Sequence, residues 1–192
     1  MLFRSWSDTK PLTYAIHPPA NGDTTATVRA LWDDEFLYLA FDVADTQVET
    51  ASPDDHWNDD SVSISINNGT FRCRRDVRGT GEGECERALQ LKLGTTLNDP
   101  GDTDIGFAVE MKVPFTQTRV IPNAGDIVPT DFLSVDHDGN PGGAWDDPAT
   151  IFSKISWDGD GNVDTTGRSL LLLPFRLFLP LIQKSYSPNS PP

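Results

Sequence analysis

The sequence predicts an all-β protein, an antiparallel β-sandwich of immunoglobulin or jelly-roll type with about ten strands. Three observations carry this expectation. Apolar residues recur with period two in short runs, most clearly in 61–67, where Val62, Ile64 and Ile66 alternate with Ser61, Ser63, Ser65 and Asn67. Turn signals separate those runs at short intervals, consistent with 15 Gly and 15 Pro in 192 residues. Almost no stretch shows the 3.6-residue periodicity of an amphipathic helix.

Taken in order, residues 12–16, 25–31, 35–43, 61–67, 71–77, 87–93, 105–113, 131–135, 151–157 and 169–173 each read as strands. In 35–43, Leu37, Leu39, Phe41 and Val43 form an unbroken apolar face opposite Phe36, Tyr38, Ala40 and Asp42. The run at 61–67 reads as a strand with one buried face. Asn21-Gly22, Asp33-Asp34, Asn67-Asn68-Gly69, the glycines from 79 to 83, and residues 98–101, 138–143 and 158–161 supply the turns. Trp6, Trp32 and Trp157 lie in or beside strand patterns and are expected to pack. Trp57 differs: it sits in a loop with Asp54, Asp55, Asp59 and Asp60, and no neighbouring apolar residue would bury it. Such a tryptophan is either a plug over the sandwich end or a platform for a ligand.

At this length the chain fits one domain with a sizeable core. The sandwich is expected to occupy 1–173, followed by an apolar, then Pro/Ser-rich tail at 174–192. The apolar run 170–182 (LLLLPFRLFLPLI) holds Pro174, Arg176 and Pro180 and falls short of the ~20 residues of a spanning helix. The N-terminal residues show neither a sustained apolar core nor a small-residue cleavage site, so no signal peptide is visible, and the abrupt start at residues 3–6 reads as that of a fragment. Lys and Arg number 15 against 29 Asp and Glu, a net charge of -14 that disfavours nucleic acid and anionic membranes as partners.

Cys73 and Cys85 flank the glycine-rich turn near Gly79, so the two could face each other across a hairpin ladder as a disulfide. That pairing would place the protein in an oxidising compartment; two unpaired thiols are the other reading. Catalysis finds little support. His17, His56 and His137 lack zinc-site spacing, no G-x-S-x-G motif occurs, and Glu110, out of phase with Val109 and Met111, reads as a solvent-facing strand residue. Residues 158–164 (DGDGNVD) alternate oxygen ligands as a calcium loop does, but Val163 and Ser169 stand where an EF-hand needs Gly and Glu.

The succession ATVRALWDDEFLYLAFDVADTQ, HWNDDSVSISIN, GFAVEMKVPF and FLSVDHDGNPGGAWDDPATIF resembles the family 9 carbohydrate-binding modules and their DOMON-like relatives over about residues 6–173. The resemblance implies a non-catalytic β-sandwich that binds oligo- or polysaccharide, works outside the cell or at its surface, and is attached to or associated with a secreted glycoside hydrolase or surface protein. It implies a sugar held between Trp57 and Trp145, with Arg72 donating and Asp60 accepting hydrogen bonds. It further implies structural calcium at Asp45, Asp60 or Asp136. One departure stands out: Ser63 occupies the position where the family motif carries a glutamate. Two other classes remain open beside this one. A module without ligand could use the same tryptophans as plugs, and some DOMON-like domains transfer electrons through haem, for which Met111 would be a ligand candidate.

Overall fold

The computed structural model describes residues 12–15, 24–50, 56–138, 151–156, 169–172 and 178–181. In chain order the strands are β1 (Leu12–Ala15), β2 (Thr25–Trp32), β3 (Phe36–Ala44), β4 (Ser61–Ile66), β5 (Phe71–Asp76), β6 (Gly81–Glu82), β7 (Glu86–Leu91), β8 (Phe107–Pro114), β9 (Ile127–Asp138), β10 (Ile151–Ser156), β11 (Ser169–Leu172) and β12 (Phe178–Leu181). A 3-10 turn at His56–Asn58 precedes β4, and a single helical turn, α1 (Phe115–Thr118), follows β8.

These strands form two antiparallel sheets packed as a sandwich. The first runs β1-β2-β3-β8-β7, and the second runs β12-β11-β9-β4-β5-β6. β9 is long enough to serve three neighbours: β4 along one edge, β11 at Ile127–Pro129 and β10 at Leu133–Asp138 on the other.

The core follows from the alternation read in the sequence. Leu37, Leu39, Phe41 and Val43 of β3 are essentially inaccessible, as are Val62, Ile64 and Ile66 of β4. Phe41 meets Phe132 of β9 edge-on, with centroids 5.7 Å apart and planes at 80°, so one aromatic pair bridges the two sheets. Trp32 is buried in this core, as its strand position predicts. Met111 is buried too, its Sδ 3.6 Å from Cys73 Sγ. The β4–β5 hairpin turns through Asn67 and Asn68, both at φ 54°, a conformation that asparagine tolerates better than most residues.

Several expectations need correction. β9 extends well beyond 131–135, because Val128 and Thr130 continue its buried face and Pro129 lies where the short β11 pairs. β12 falls within the stretch assigned to an apolar tail. It is the edge of its sheet, and Pro180 sits opposite Leu170, a placement that an edge strand tolerates because proline lacks only the ladder donor. The serine face of β4 is not solvated: Ser61 and Ser65 are inaccessible and Ser63 is nearly so. Glu110 is likewise buried rather than solvent-facing, in the cross-strand row between Ala40 and Ala88.

The Cys73–Cys85 disulfide is present, with Cα atoms 6.4 Å apart, but it is not a rung of one ladder. The β5–β6 register pairs Arg74 with Glu82 and Arg75 with Gly81, so Cys85 lies past the hairpin, immediately before β7 of the other sheet. The bond therefore ties the second sheet to the first. Gly83 makes this route possible, since it adopts φ +80° and a Cβ there would come within 1.9 Å of the Arg72 carbonyl oxygen.

Candidate functional site

The outer face of the second sheet carries a pocket of about 210 Å³ lined by Trp57, Ser63, Arg72, Cys73, Arg74, Glu82, Leu133 and Val135. Strand register explains the grouping. Leu133, Ser63 and Arg74 lie side by side on β9, β4 and β5, and Glu82 of β6 continues the row. Val135 and Arg72 stand two residues away on the same face of their strands.

Trp57 projects from the 3-10 turn and is 44% exposed. The guanidinium carbon of Arg74 lies 5.4 Å from the centroid of its ring, a cation–π distance that leaves much of the indole accessible. Arg74 is itself buried and bonds Asp76 Oδ2 at 3.2 Å. Burial draws its guanidinium below the usual range, while Asp76, Asp59 and Glu82 oppose that shift. The turn that presents Trp57 is fixed from beneath. Buried Asp59 accepts two hydrogen bonds from Arg78, from Nε and Nη2, each 2.9 Å long, and its carbonyl lies 3.5 Å from Arg74 Nη2. Bidentate charge-assisted pairs of this kind hold geometry better than single bonds.

Arg72 and Trp57, both expected at the site, are thus brought to one pocket. Trp145 lies outside the described residues. Arg74, Glu82 and the Asp59–Arg78 pair were not foreseen, although Arg74 opposite Ser63 follows from the hairpin once its turn is centred on Asn67 and Asn68.

Asp60 does not line the pocket. It is fully buried among Asp45 and Asp136, and one ligand atom from each of the three carboxylates lies within 4.8 Å of the others. Its two oxygens accept hydrogen bonds from the backbone N–H groups of Glu49 and His137, both at 2.6 Å. Gln47 N–H donates to Asp45 at 3.0 Å, and Thr24 Oγ1 donates to Asp136 at 2.7 Å. Burial first, then the charges of Asp45 and Asp136, push the Asp60 carboxyl well above its usual range, against the lowering effect of the two backbone donors. Three converging, pre-oriented oxygen donors suit a hard divalent cation such as calcium. The cluster sits where the sheets meet, with Thr24 and Asp45 beside β2 and β3 and with Asp60 and Asp136 at β4 and on β9.

The pocket thus combines an exposed indole, two arginines and a carboxylate on a β-sandwich face, a mixed aromatic and polar lining of the kind that can receive a small ligand. Among the described residues, no helix is long and apolar enough to cross a membrane.

Comparison with known proteins finds similar sequences and a shared fold. Residues 4–72 match the sequence profile of the family described as "Carbohydrate family 9 binding domain-like". The chain is 26% identical to an endo-1,4-beta-xylanase A of Thermoanaerobacterium saccharolyticum and 25% identical to an exoglucanase XynX of Acetivibrio thermocellus, each over 85% of this chain. It spans only 15% and 16% of the length of those relatives. A family 9 carbohydrate-binding module from Caldicellulosiruptor kristjanssonii, solved with cellotriose, matches at 16% identity with a TM-score of 0.53, covering 81% of this chain and 76% of that one. The same module solved with glucose also gives a TM-score of 0.53. The chain resembles the family 9 carbohydrate-binding modules in sequence and shares their β-sandwich fold.

Proposed function

We propose that this chain is a non-catalytic carbohydrate-binding module that stacks a pyranose ring on Trp57 in the pocket walled by Arg72, Arg74, Ser63 and Glu82. The observation that carries this reading is the exposure of the Trp57 indole at a pocket of mixed polar and apolar lining whose supporting turn is held by Asp59 and Arg78. A sugar ring presents C–H faces that pack on an aromatic surface, while its hydroxyls need donors and acceptors at the rim. Arginines and a hydroxyl donate here, and Glu82 accepts. Trp145 supplies a second plate in this reading. The relatives that share the sequence, a xylanase and an exoglucanase, support a role beside a glycoside hydrolase, and the disulfide supports an extracellular or cell-surface location.

Asp45, Asp60 and Asp136 hold structural calcium in this proposal. The ion would supply the positive charge that three buried carboxylates lack, and so join the two sheets at one edge.

The test is intrinsic tryptophan fluorescence during titration with cello- and xylo-oligosaccharides. A saturable change that Trp57→Ala abolishes is the expected result. No response to any of these sugars, in the presence of calcium, would overturn the assignment and leave a module whose tryptophans only seal its loops.

A further inference from the structure

We infer that the pocket is built for an acidic sugar, a uronic acid or an oligosaccharide bearing one, with Arg72 receiving the carboxylate. This rests on the sugar-binding reading above and narrows it to a chemical class.

The distribution of cations is the first ground. The chain has 15 Lys and Arg residues, and five of them, Arg72, Arg74, Arg75, Arg78 and Arg87, fall within the sixteen positions from 72 to 87, with Arg72 and Arg74 lining the pocket. Four of the five are already engaged. Arg74 bonds Asp76 and lies over Trp57. Arg78 is bidentate on Asp59. Arg75 donates to the Gly79 carbonyl, and Arg87 donates to the carbonyls of Arg74 and Glu82. Arg72 is exposed on the pocket wall and, among the described residues, makes no hydrogen bond or ion pair. A guanidinium with no partner among the described residues, beside a sugar-sized cavity, is a fork suited to two carboxylate oxygens.

The floor is the second ground. Ser63 is an uncharged hydroxyl at a position where a carboxylate would repel an anionic ligand. Of the two arginines in the lining, Arg74 is paired with Asp76, whereas Arg72 has no ion pair among the described residues. Ser61 and Ser65, on the same face of β4 as Ser63, are inaccessible and stand outside the lining. Ser65 is the cross-strand neighbour of Arg72.

The experiment compares glucuronic acid, glucose and acetate as ligands of the calcium-loaded chain at moderate ionic strength, by calorimetry or tryptophan fluorescence. The expected result is glucuronate bound about tenfold more tightly than glucose, as a charge-assisted pair in a partly buried site allows, with acetate not bound. In Arg72→Gln both sugars bind more weakly, but glucuronate loses about tenfold more affinity than glucose, so the preference disappears; the thermal midpoint is unchanged, since Arg72 is exposed and makes no hydrogen bond or ion pair among the described residues. Glucose bound as well as or better than glucuronate, or a preference that survives Arg72→Gln, overturns the inference but leaves the sugar site standing. Acetate bound as tightly as glucuronate overturns it too, by showing a bare anion site. No binding of either sugar overturns the sugar reading itself, and this inference with it.

Discussion

Arg74 lies over the ring of Trp57 while its guanidinium bonds Asp76, so one buried side chain joins the exposed platform of the pocket to the sheet beneath it. This relationship separates the energetics of binding from those of folding. Trp57 touches solvent and can be removed at little structural cost, whereas Arg74 is part of the packed wall.

Trp57→Ala should therefore weaken sugar binding by about 2 kcal/mol, roughly thirtyfold, as loss of an aromatic anchor does. Stability should move by no more than about 0.5 kcal/mol. Arg74→Ala should show the opposite balance, costing about 3 kcal/mol of stability because Asp76 is left buried without its cation. Urea unfolding of both variants, set beside oligosaccharide titrations, distinguishes the two roles. Equal loss of stability in the two would contradict the assignment.

The acidic cluster gives a prediction whose sign can be worked out. The folded-state pKa of Asp60 is raised, by burial and by Asp45 and Asp136, so the site is most stable when Asp60 is protonated. Its contribution is fully present below the unfolded value of about 3.9 and is lost as pH rises through the folded value. In chelator, this site should thus lower the melting temperature as pH rises above the unfolded value. Millimolar calcium should restore the melting temperature at pH 7.5 by mass action. Asp45→Asn keeps the acceptor for Gln47 N–H and removes one charge. It should be at least as stable as the parent in chelator and should no longer respond to calcium. A parent protein indifferent to calcium would remove the metal from the proposal.

Loss of the disulfide should be costly because it closes a loop of sequence separation 12. The chain-entropy estimate is about 3 kcal/mol, and a Cys73→Ala/Cys85→Ala variant should show it as a lower urea midpoint. Alkylation of the native protein without reductant should label neither cysteine; labelling of both would contradict the bond.

Gly83→Ala tests the backbone route that brings Cys85 back toward β5. The added Cβ meets the Arg72 carbonyl oxygen at 1.9 Å and the positive φ disfavours any side chain, so a loss of at least about 2 kcal/mol is expected. Gly125→Ala is the control, since nothing lies within 4 Å of its would-be Cβ. If both variants lose the same amount, φ alone sets the cost and the close approach at Gly83 contributes nothing.

The inward faces were legible because alternation reports directly on burial: Leu37 to Val43 and Val62 to Ile66 line the core as read. The same alternation says only which face is apolar, not what covers the polar one, which is why the buried serines of β4 and the buried Glu110 were misjudged. Trp57 stood out because no local apolar partner could bury it. Arg74 and Glu82 depend on strand register, a property of two segments at once. The disulfide was read correctly as a bond and wrongly as a rung, because symmetry about Gly79 ignores the two residues by which the chain has already left β5 for the other sheet. The convergence of Asp45, Asp60 and Asp136 came from family likeness alone, since no local spacing links residues that far apart in the chain.

The Cys73–Cys85 bond also has a mechanical meaning. A polymer held at Trp57 and pulled, by flow or by an enzyme advancing along it, loads the 3-10 turn and then β5 through Arg74 and Asp59. Without the bond, that force would pass to the rest of the molecule through ladder hydrogen bonds and side-chain packing, neither of them covalent. With it, β5 is anchored by a covalent link to the residue before β7, and a tug on a polymer held as proposed would be shared between both layers of the sandwich.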